Sequence, residues 1–330
     1  MARARRDHGL HLQVLPHRAE ATLALVLVVV ALLWALGLGE RLQPDLGFSA
    51  ATHRSSVVRP GDTDGDGLAD AEEDALLRRY APRALLSADD PAYPASIRWV
   101  RERTALAPTG RDFLGVVIPA RAFPASVRRG SRDPRDWTVY GHAYPRSDGG
   151  VELQYWFYYA FNKAAFVFDH ESDWEHVSVE LDARRRPIDF ALAAHHDNSP
   201  GRRVPWAQVP KEGDHPWFCI ASGTHAAYLF GRDAPFWEKV VDCPRRADGT
   251  PILAGCPVRV IRSGEPLSEG GSPLVNVGER GRPRADGEAA FFRSYQGLWG
   301  SAVPFVGTAA PYGPPFQRSF CVDAKAGSCW

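Results

Sequence analysis

The stretch DHESDWEHVSVEL occupies residues 169–181. Its last five residues, VSVEL at 177–181, alternate apolar and polar side chains, which is the pattern of a β-strand with one buried face. Carrying the alternation back toward the N-terminus places Asp173 and Glu175 on the same buried face. Carboxylates that point into a core are costly unless a positive charge pairs with them. The stretch therefore predicts a strand whose first half carries a charged site.

A divalent cation is one candidate for that positive charge. His170, Asp173 and Glu175 offer two hard carboxylates and one imidazole, a set that favours Ca²⁺ or Mg²⁺ over an activating zinc ion. The alternative is that arginine side chains at the rim of the domain pair with the two carboxylates. The spacing of the residues is compatible with both interpretations.

Two histidines elsewhere in the chain are predicted to converge on this site. His196 shares a strand face with Ile188 and Phe190, so its side chain is expected to point inward. His225 lies in the small-residue stretch SGTHA at 222–226, where glycine permits close backbone approach. Either histidine is a candidate general base if the site is catalytic. The alternative for each is a hydrogen-bonded histidine of the core.

The rest of the chain has the composition of a β protein. It contains 27 Pro, 30 Gly and 36 aromatic residues, a mixture that suits short strands joined by turns. We predict a mainly β fold, a β-sandwich with long loops and few short helices, preceded by one transmembrane helix. The polar stretch 263–287 is expected to be a surface loop. The clearest strand candidates are 151–161, 174–181, 188–196 and 216–222.

An acidic ladder, DTDGDGLADAEE, occupies residues 62–73 and fits the twelve-residue calcium loop. Four aspartates this close together repel one another unless a cation neutralises them; a solvated acidic turn is the alternative. A short helix is predicted at 71–80, but no amphipathic helix enters the loop. The loop therefore resembles those of thrombospondin type 3 and dockerin-like repeats, with a structural role. The predicted Ca²⁺ ligands are Asp62, Asp64, Asp66, the Leu68 carbonyl, Asp70 and Glu73.

The N-terminal region has the pattern of a membrane anchor. Residues 21–39 form an uncharged run of nineteen residues, long enough to cross a bilayer as a helix. Arginines precede the run, so the N-terminus is expected in the cytoplasm and the remainder outside the cell membrane. The alternative is a cleaved signal peptide, which would make the protein secreted. The predicted segments are a basic tail at 1–20, the anchor at 21–39, a linker at 40–60, the calcium loop and helix at 61–80 and the β domain at 81–330.

The positions of the cysteines predict disulfides, and the net charge disfavours one class of partner. The pairs Cys243 with Cys256 and Cys321 with Cys329 each bracket a short loop, so two local disulfides are expected outside the cytoplasm, with Cys219 unpaired. The chain has 39 basic and 39 acidic residues and a formal net charge of zero. This balance argues against a nucleic-acid partner, because such proteins usually carry a basic face.

The exported domain resembles the vacuolar protein sorting protein 62-like family. The resemblance covers most of the chain from residue 80 to residue 316 and implies family membership without implying an activity. The matching motifs are YAP at 80–82, DDP at 89–91, YPAS at 93–96, LQYWFYY at 153–159, DHESDWEHV at 169–177, AHH at 194–196, VPW at 204–206, HP at 215–216, SGTHAAY at 222–228, WG at 299–300 and GPP at 313–315.

A more distant resemblance concerns mechanism. The segment DHESDWE at 169–175 is similar to the GHRHDWE heptapeptide of necrosis-inducing cytolysins, which are β-sandwich proteins. The resemblance implies that a divalent cation is held by His170, Asp173 and Glu175. A further upstream aspartate of the cytolysins has Asn162 as its nearest counterpart here, and the second motif histidine is replaced by Ser172.

Three functions are consistent with these patterns. The favoured one is a binding module whose cation recognises a polar lipid head group or an envelope glycan. The second is a metal-dependent hydrolase in which a cation-bound water attacks the substrate. The third is a scaffold with a purely structural cation. The chain lacks HExxH and GxSxG motifs, which disfavours the zinc and serine hydrolase classes.

Overall fold

The computed structural model describes residues 60–104, 123–164, 169–193, 202–278, 287–295, 299–300 and 310–317, all within one compact unit, Ser49–Trp330. The predicted tail, anchor and most of the linker, at 1–59, lie outside these residues and stay predictions. Within the described ranges, no helix combines the length and the apolar character needed to cross a bilayer.

The described part of the chain is mainly β, as its composition predicts. Four α-helices are present in it: α1 (Asp70–Arg79), α2 (Ile97–Arg101), α3 (Ala125–Arg128) and α4 (Gly287–Ser294). The strands are β1 (Arg83–Ser87), β2 (Val139–Pro145), β3 (Val151–Asn162), β4 (His170–Leu181), β5 (Pro187–Leu192), β6 (Arg202–Pro205), β7 (Lys211–Glu212), β8 (His215–Ile220), β9 (Ala227–Tyr228), β10 (Val258–Arg262) and β11 (Leu274–Asn276).

These strands form two mixed sheets. The first sheet has five strands in the order β10-β1-β8-β7, with β9 also paired to β8. The second has six strands in the order β11-β2-β3-β4-β5-β6. Most neighbours are antiparallel, and the exceptions are the parallel pairs β1 with β8 and β11 with β2.

One apolar cluster joins the two sheets. Phe157 and Phe190 of the second sheet both contact Phe218 of the first, with ring centroids 5.7 and 6.2 Å apart. Val177 and Ile261, one from each sheet, are fully buried in the same cluster. The two sheets therefore face each other across a common core, as the layers of a sandwich do.

The other face of the second sheet is covered as well. A second cluster contains Tyr140 and Trp156 of that sheet together with Val100 of α2, Val127 of α3 and Phe292 of α4. Strand β3 is consequently buried on both faces. This explains why residues 155–160, YWFYYA, are continuously apolar instead of alternating.

Several boundaries differ from the sequence predictions. The predicted loop 263–287 contains β11, which pairs with β2, and ends at the first residue of α4. A three-residue edge strand with one polar residue offers too short a pattern to detect. The predicted strand 188–196 ends at Leu192, whereas the predicted helix at 71–80 is confirmed to within one residue as α1.

One of the two predicted disulfides lies in the described residues and is confirmed. Cys243 and Cys256 are bonded, with their Cα atoms 5.6 Å apart. Cys219 is a buried free thiol, and burial raises its pKa to about 12, so it is unreactive at neutral pH. The predicted pair Cys321 and Cys329 lies outside the described residues.

Candidate functional site

The register of β3 and β4 places the acidic pair inside the sandwich. Asp173 lies opposite Tyr159, and Glu175 lies opposite Phe157. Both carboxylate residues are buried, with relative exposures of 7% and 8%. Because Phe157 belongs to the core between the sheets, the acidic pair faces the first sheet, in agreement with the alternation of the sequence.

The backbone just before this pair is irregular. Ser172 has φ of 58°, a left-handed conformation that non-glycine residues seldom adopt. Its hydroxyl is hydrogen-bonded to Tyr158 Oη at 2.6 Å. Glu171 instead accepts a hydrogen bond from Arg128 at 2.9 Å and one from the Phe123 amide at 3.0 Å. Arginine pairing, the alternative considered for the acidic pair, is therefore found at Glu171.

His225 is the positive partner that the structure gives to Asp173. Its imidazole Nδ1 lies 2.8 Å from Asp173 Oδ2, and its Nε2 lies 3.6 Å from Asp90 Oδ1. The ring stacks on Tyr159, with centroids 3.6 Å apart and planes 5° from parallel. The His225 side chain is fully buried, so these contacts fix its position completely.

A tight turn between β8 and β9 carries His225 to this position. His225 itself has φ of 58°, and Gly223 has φ of 87°. A Cβ atom on Gly223 would lie 2.4 Å from the Lys163 carbonyl oxygen, so only glycine fits there. The Gly223 amide also donates to Asp90 Oδ2 at 3.3 Å. Left-handed backbone at Ser172, which precedes Asp173 in the chain, and at His225, which is hydrogen-bonded to Asp173, is typical of functional sites.

The site contains a group of buried and half-buried acidic side chains around His225, called here the acidic cluster: Asp90, Asp173, Glu175 and Glu238. Burial raises the pKa of Glu175 well above its usual range, and the charges of Asp173 and Glu238 raise it further. Burial opposes protonation of His225, but hydrogen bonds to Asp173 and Asp90 and their charges outweigh it and raise its pKa to about 9. Among the described residues, the His225 imidazole therefore lies against Asp173 and Asp90, and Glu175 lies close enough to Asp173 and Glu238 for their charges to act on it.

Two further predicted metal ligands lie opposite each other on β3 and β4. His170 and Asn162 are register partners across β3 and β4. The Nδ1 atom of His170 donates a hydrogen bond to the Ser172 carbonyl at 2.6 Å, which leaves Nε2 with the lone pair that a metal ion needs. His170, Asp173 and Glu175 do not lie together within 4.8 Å, so their joint role as ligands stays a prediction.

Two carboxylates of the cluster carry no signal in the sequence pattern. Asp90 and Glu238 both come from loops, where no periodicity indicates which way a side chain points. Glu238 accepts a hydrogen bond from Thr224 Oγ1 at 2.6 Å, beside the turn that carries His225. His196 lies outside the described residues.

Within the described ranges, the one acidic group whose ligand atoms all lie within 4.8 Å of one another is Asp62, Asp64 and Asp66. This arrangement could hold a metal ion. Asp70 instead accepts hydrogen bonds from the amide and hydroxyl of Thr63, at 3.0 and 2.9 Å.

Two further predicted ligands of this loop are tied into the fold. Glu73 is fully buried and accepts a hydrogen bond from Asn276 of β11 at 3.0 Å. The Leu68 amide donates to Asp66 Oδ1 at 2.6 Å, and the Leu68 side chain is buried in the core. The loop is therefore attached to the edge of the second sheet. Ligand roles for the Leu68 carbonyl, Asp70 and Glu73 stay predictions.

Comparisons with known proteins give partial matches only. No family model and no curated protein matches the chain, so the resemblances to vacuolar protein sorting 62-like proteins, thrombospondin type 3 and dockerin-like repeats find no support there. Solved structures of necrosis-inducing toxins are similar at low identity and over part of the chain.

Three of these solved structures illustrate the extent of the similarity. A structure described as a toxin fold for microbial attack and plant defence is 22% identical over 48% of this chain and 67% of its own, with a TM-score of 0.32. NLPPya in complex with glucosamine is 20% identical over 47% of this chain and 65% of its own, with a TM-score of 0.32. Necrosis and ethylene inducing protein 2, from the causal agent of witches' broom disease of cocoa, is 18% identical over 46% and 65%, with a TM-score of 0.28.

Proposed function

We propose that this chain is an extracytoplasmic, membrane-anchored binding module that holds a divalent cation, Ca²⁺ or Mg²⁺, beside Asp173 and Glu175. The bound cation recognises a polar lipid head group or a glycan. One observation carries the proposal: Asp173 and Glu175 point into the core beside Asp90 and Glu238, and among the described residues the imidazole of His225 lies against Asp173 and Asp90.

The proposal rests on the cost of this charge arrangement. A carboxylate that loses water without gaining a positive partner destabilises the protein, and the usual response is protonation or metal binding. Burial raises the pKa of Glu175, and among the described residues the acidic side chains of Asp173 and Glu238 raise it further. A divalent cation would neutralise two of these charges at once, and its remaining coordination positions would accept hydroxyl or phosphate oxygens.

Binding is favoured over hydrolysis by the environment of His225. A general base needs a nitrogen that can take a proton from a substrate or a water. In His225 one nitrogen lies against Asp173 and the other against Asp90, and the side chain is fully buried, so neither nitrogen is open to a substrate or a water.

The acidic 62–66 loop is proposed as a second, structural Ca²⁺ site.

Ligand binding with and without a cation tests the proposal. The probes are glucosamine, mannosamine and phosphocholine, titrated into the full chain after removal of metal and again with Ca²⁺ or Mg²⁺. We expect binding of at least one probe that requires the cation and is lost in Glu175→Gln. Binding that persists in chelator, or turnover of an ester probe, would contradict the proposal. Cation binding without binding of any probe would support the purely structural role.

A further inference from the structure

Two large aromatic side chains are exposed on one loop near the acidic cluster. The side chain of Phe236 is 96% exposed and that of Trp237 is 69% exposed. Their rings pack edge to face, with centroids 5.0 Å apart. Two adjacent aromatic side chains in water leave a large apolar area hydrated, which is unfavourable unless a partner covers them. The pair therefore marks a contact surface.

The loop that carries the pair, residues 231–240, is held firmly at its base. The Glu238 amide donates to the Pro235 carbonyl at 2.9 Å and closes a turn around the two aromatics. The Ser222 amide donates to the Lys239 carbonyl at 2.7 Å, and Thr224 bonds Glu238. Because the loop is already ordered, it loses little conformational freedom when its tip binds a surface.

The charges on the loop favour an anionic surface. Arg232 and Lys239 lie on either side of the aromatic pair, and both are exposed. The two acidic residues of the loop are engaged elsewhere, because Asp233 is paired with Arg202 at 2.7 Å and Glu238 accepts a hydrogen bond from Thr224 at the base of the loop at 2.6 Å. Aromatic side chains flanked by basic residues are typical of segments that lie in the head-group region of a bilayer.

We propose that the 231–240 loop docks on the surface of a lipid bilayer that contains anionic head groups. Phe236 and Trp237 enter the interfacial region, and Arg232 and Lys239 face the lipid phosphates. The inference deepens the proposed function, because it names a bilayer as the surface that presents the recognised group. Glu238 connects the loop to the turn of His225, so docking brings the acidic cluster to head-group level.

Quenching by brominated lipid tests the contact on the full chain. The probe is vesicles of brominated phosphatidylcholine with phosphatidylserine, compared with the same lipids without bromine. The emission of Trp237 is obtained by subtracting the fluorescence of Trp237→Phe from that of the wild type, which removes the contribution of every other tryptophan. We expect bromine to quench this difference. The corresponding difference for Trp206→Phe, a half-buried tryptophan outside the loop, is expected to be unaffected.

A substitution at Phe236, next to the fluorescent reporter Trp237, shows how much the aromatic pair contributes to membrane binding. Phe236→Ser is expected to weaken insertion of the tip about tenfold, equivalent to about 1.4 kcal/mol. Leu267→Ser, which removes another exposed apolar side chain at 50% exposure, is the matched control and is expected to change nothing. Absence of quenching in the wild type would overturn the inference. So would loss of glucosamine binding in Trp237→Phe without bromine quenching, because that result assigns the pair to a sugar.

The inference and the proposed function fail in distinguishable ways. The apolar contact does not require the cation, so Glu175→Gln is expected to keep bromine quenching while losing the cation beside Asp173 and Glu175. Quenching with no cation site overturns only the proposed function. A cation site with no quenching overturns only the docking of the loop.

Discussion

Replacing His225 with asparagine should change how stability depends on pH in the metal-free protein. The pKa of His225 is raised from 6.5 to about 9, because hydrogen bonds to Asp173 and Asp90 and their charges outweigh the opposing effect of burial. Protonated His225 therefore stabilises the folded state. That contribution is fully present below the unfolded-state pKa and is lost as the pH rises through the folded-state pKa.

The magnitude follows from the two pKa values. Linkage gives a contribution of about 3 kcal/mol at pH 6 that falls below about 1 kcal/mol at pH 9. Asparagine tolerates the left-handed backbone that His225 adopts, with φ of 58°, so the variant retains the local conformation while losing the titrating group. We expect His225→Asn to be less stable than the wild type at pH 6 and the difference to narrow toward pH 9.

Urea unfolding in the presence of a chelator, at several values from pH 6 to pH 9, measures this difference. Chelation is required because a bound cation would replace the stabilisation that protonated His225 supplies. Parallel stability profiles for the wild type and the variant would refute the reasoning, since the imidazole would then carry no net charge interaction in the fold.

Three further outcomes are expected. His176 stacks on Trp156, and burial lowers its pKa to about 3. A depressed histidine pKa stabilises the fold fully above pH 6.5 and less as the pH falls, so between pH 7 and pH 5 the wild type should lose about 2 kcal/mol more unfolding free energy than His176→Phe. Ca²⁺ should raise the unfolding temperature of the wild type but much less that of Asp64→Ala, with a ligand at a hundred times its Kd worth about 2.7 kcal/mol; equal shifts would contradict a cation site at residues 62–66. Gly223→Ala should cost about 1–3 kcal/mol, because the new Cβ meets the Lys163 carbonyl, whereas Gly213→Ala, also at positive φ but with open space, should cost less; equal unfolding free energies would contradict this.

The regular parts of the fold follow from local patterns in the sequence. The alternation at 177–181 predicts which face of β4 is buried, and carrying it backward correctly predicts that Asp173 and Glu175 point inward. The Asp62, Asp64 and Asp66 cluster is recognisable because its spacing is local and its geometry depends on few residues. Predictions of this kind succeed where one short segment determines the outcome.

The rest of the site depends on contacts between distant segments. Asp90 and Glu238 reach the cluster from loops, and a loop residue carries no period that predicts its direction. The positive partner of Asp173 is held by a turn with two left-handed residues, Gly223 and His225, and only the glycine suggests that conformation. The sequence pattern also fails to predict the short edge strand β11, because that strand is defined by its pairing with β2 and not by its own residues.

Calorimetric titration of Ca²⁺ and Mg²⁺ into Asp64→Ala and into Asp64→Ala with Glu175→Gln tests the cation site directly. The shared substitution weakens the 62–66 site, so the comparison isolates the acidic cluster. We expect one cation to bind the single variant and none to bind the double variant. Equal binding by the two proteins, or no binding by the single variant, would contradict a divalent cation at Asp173 and Glu175.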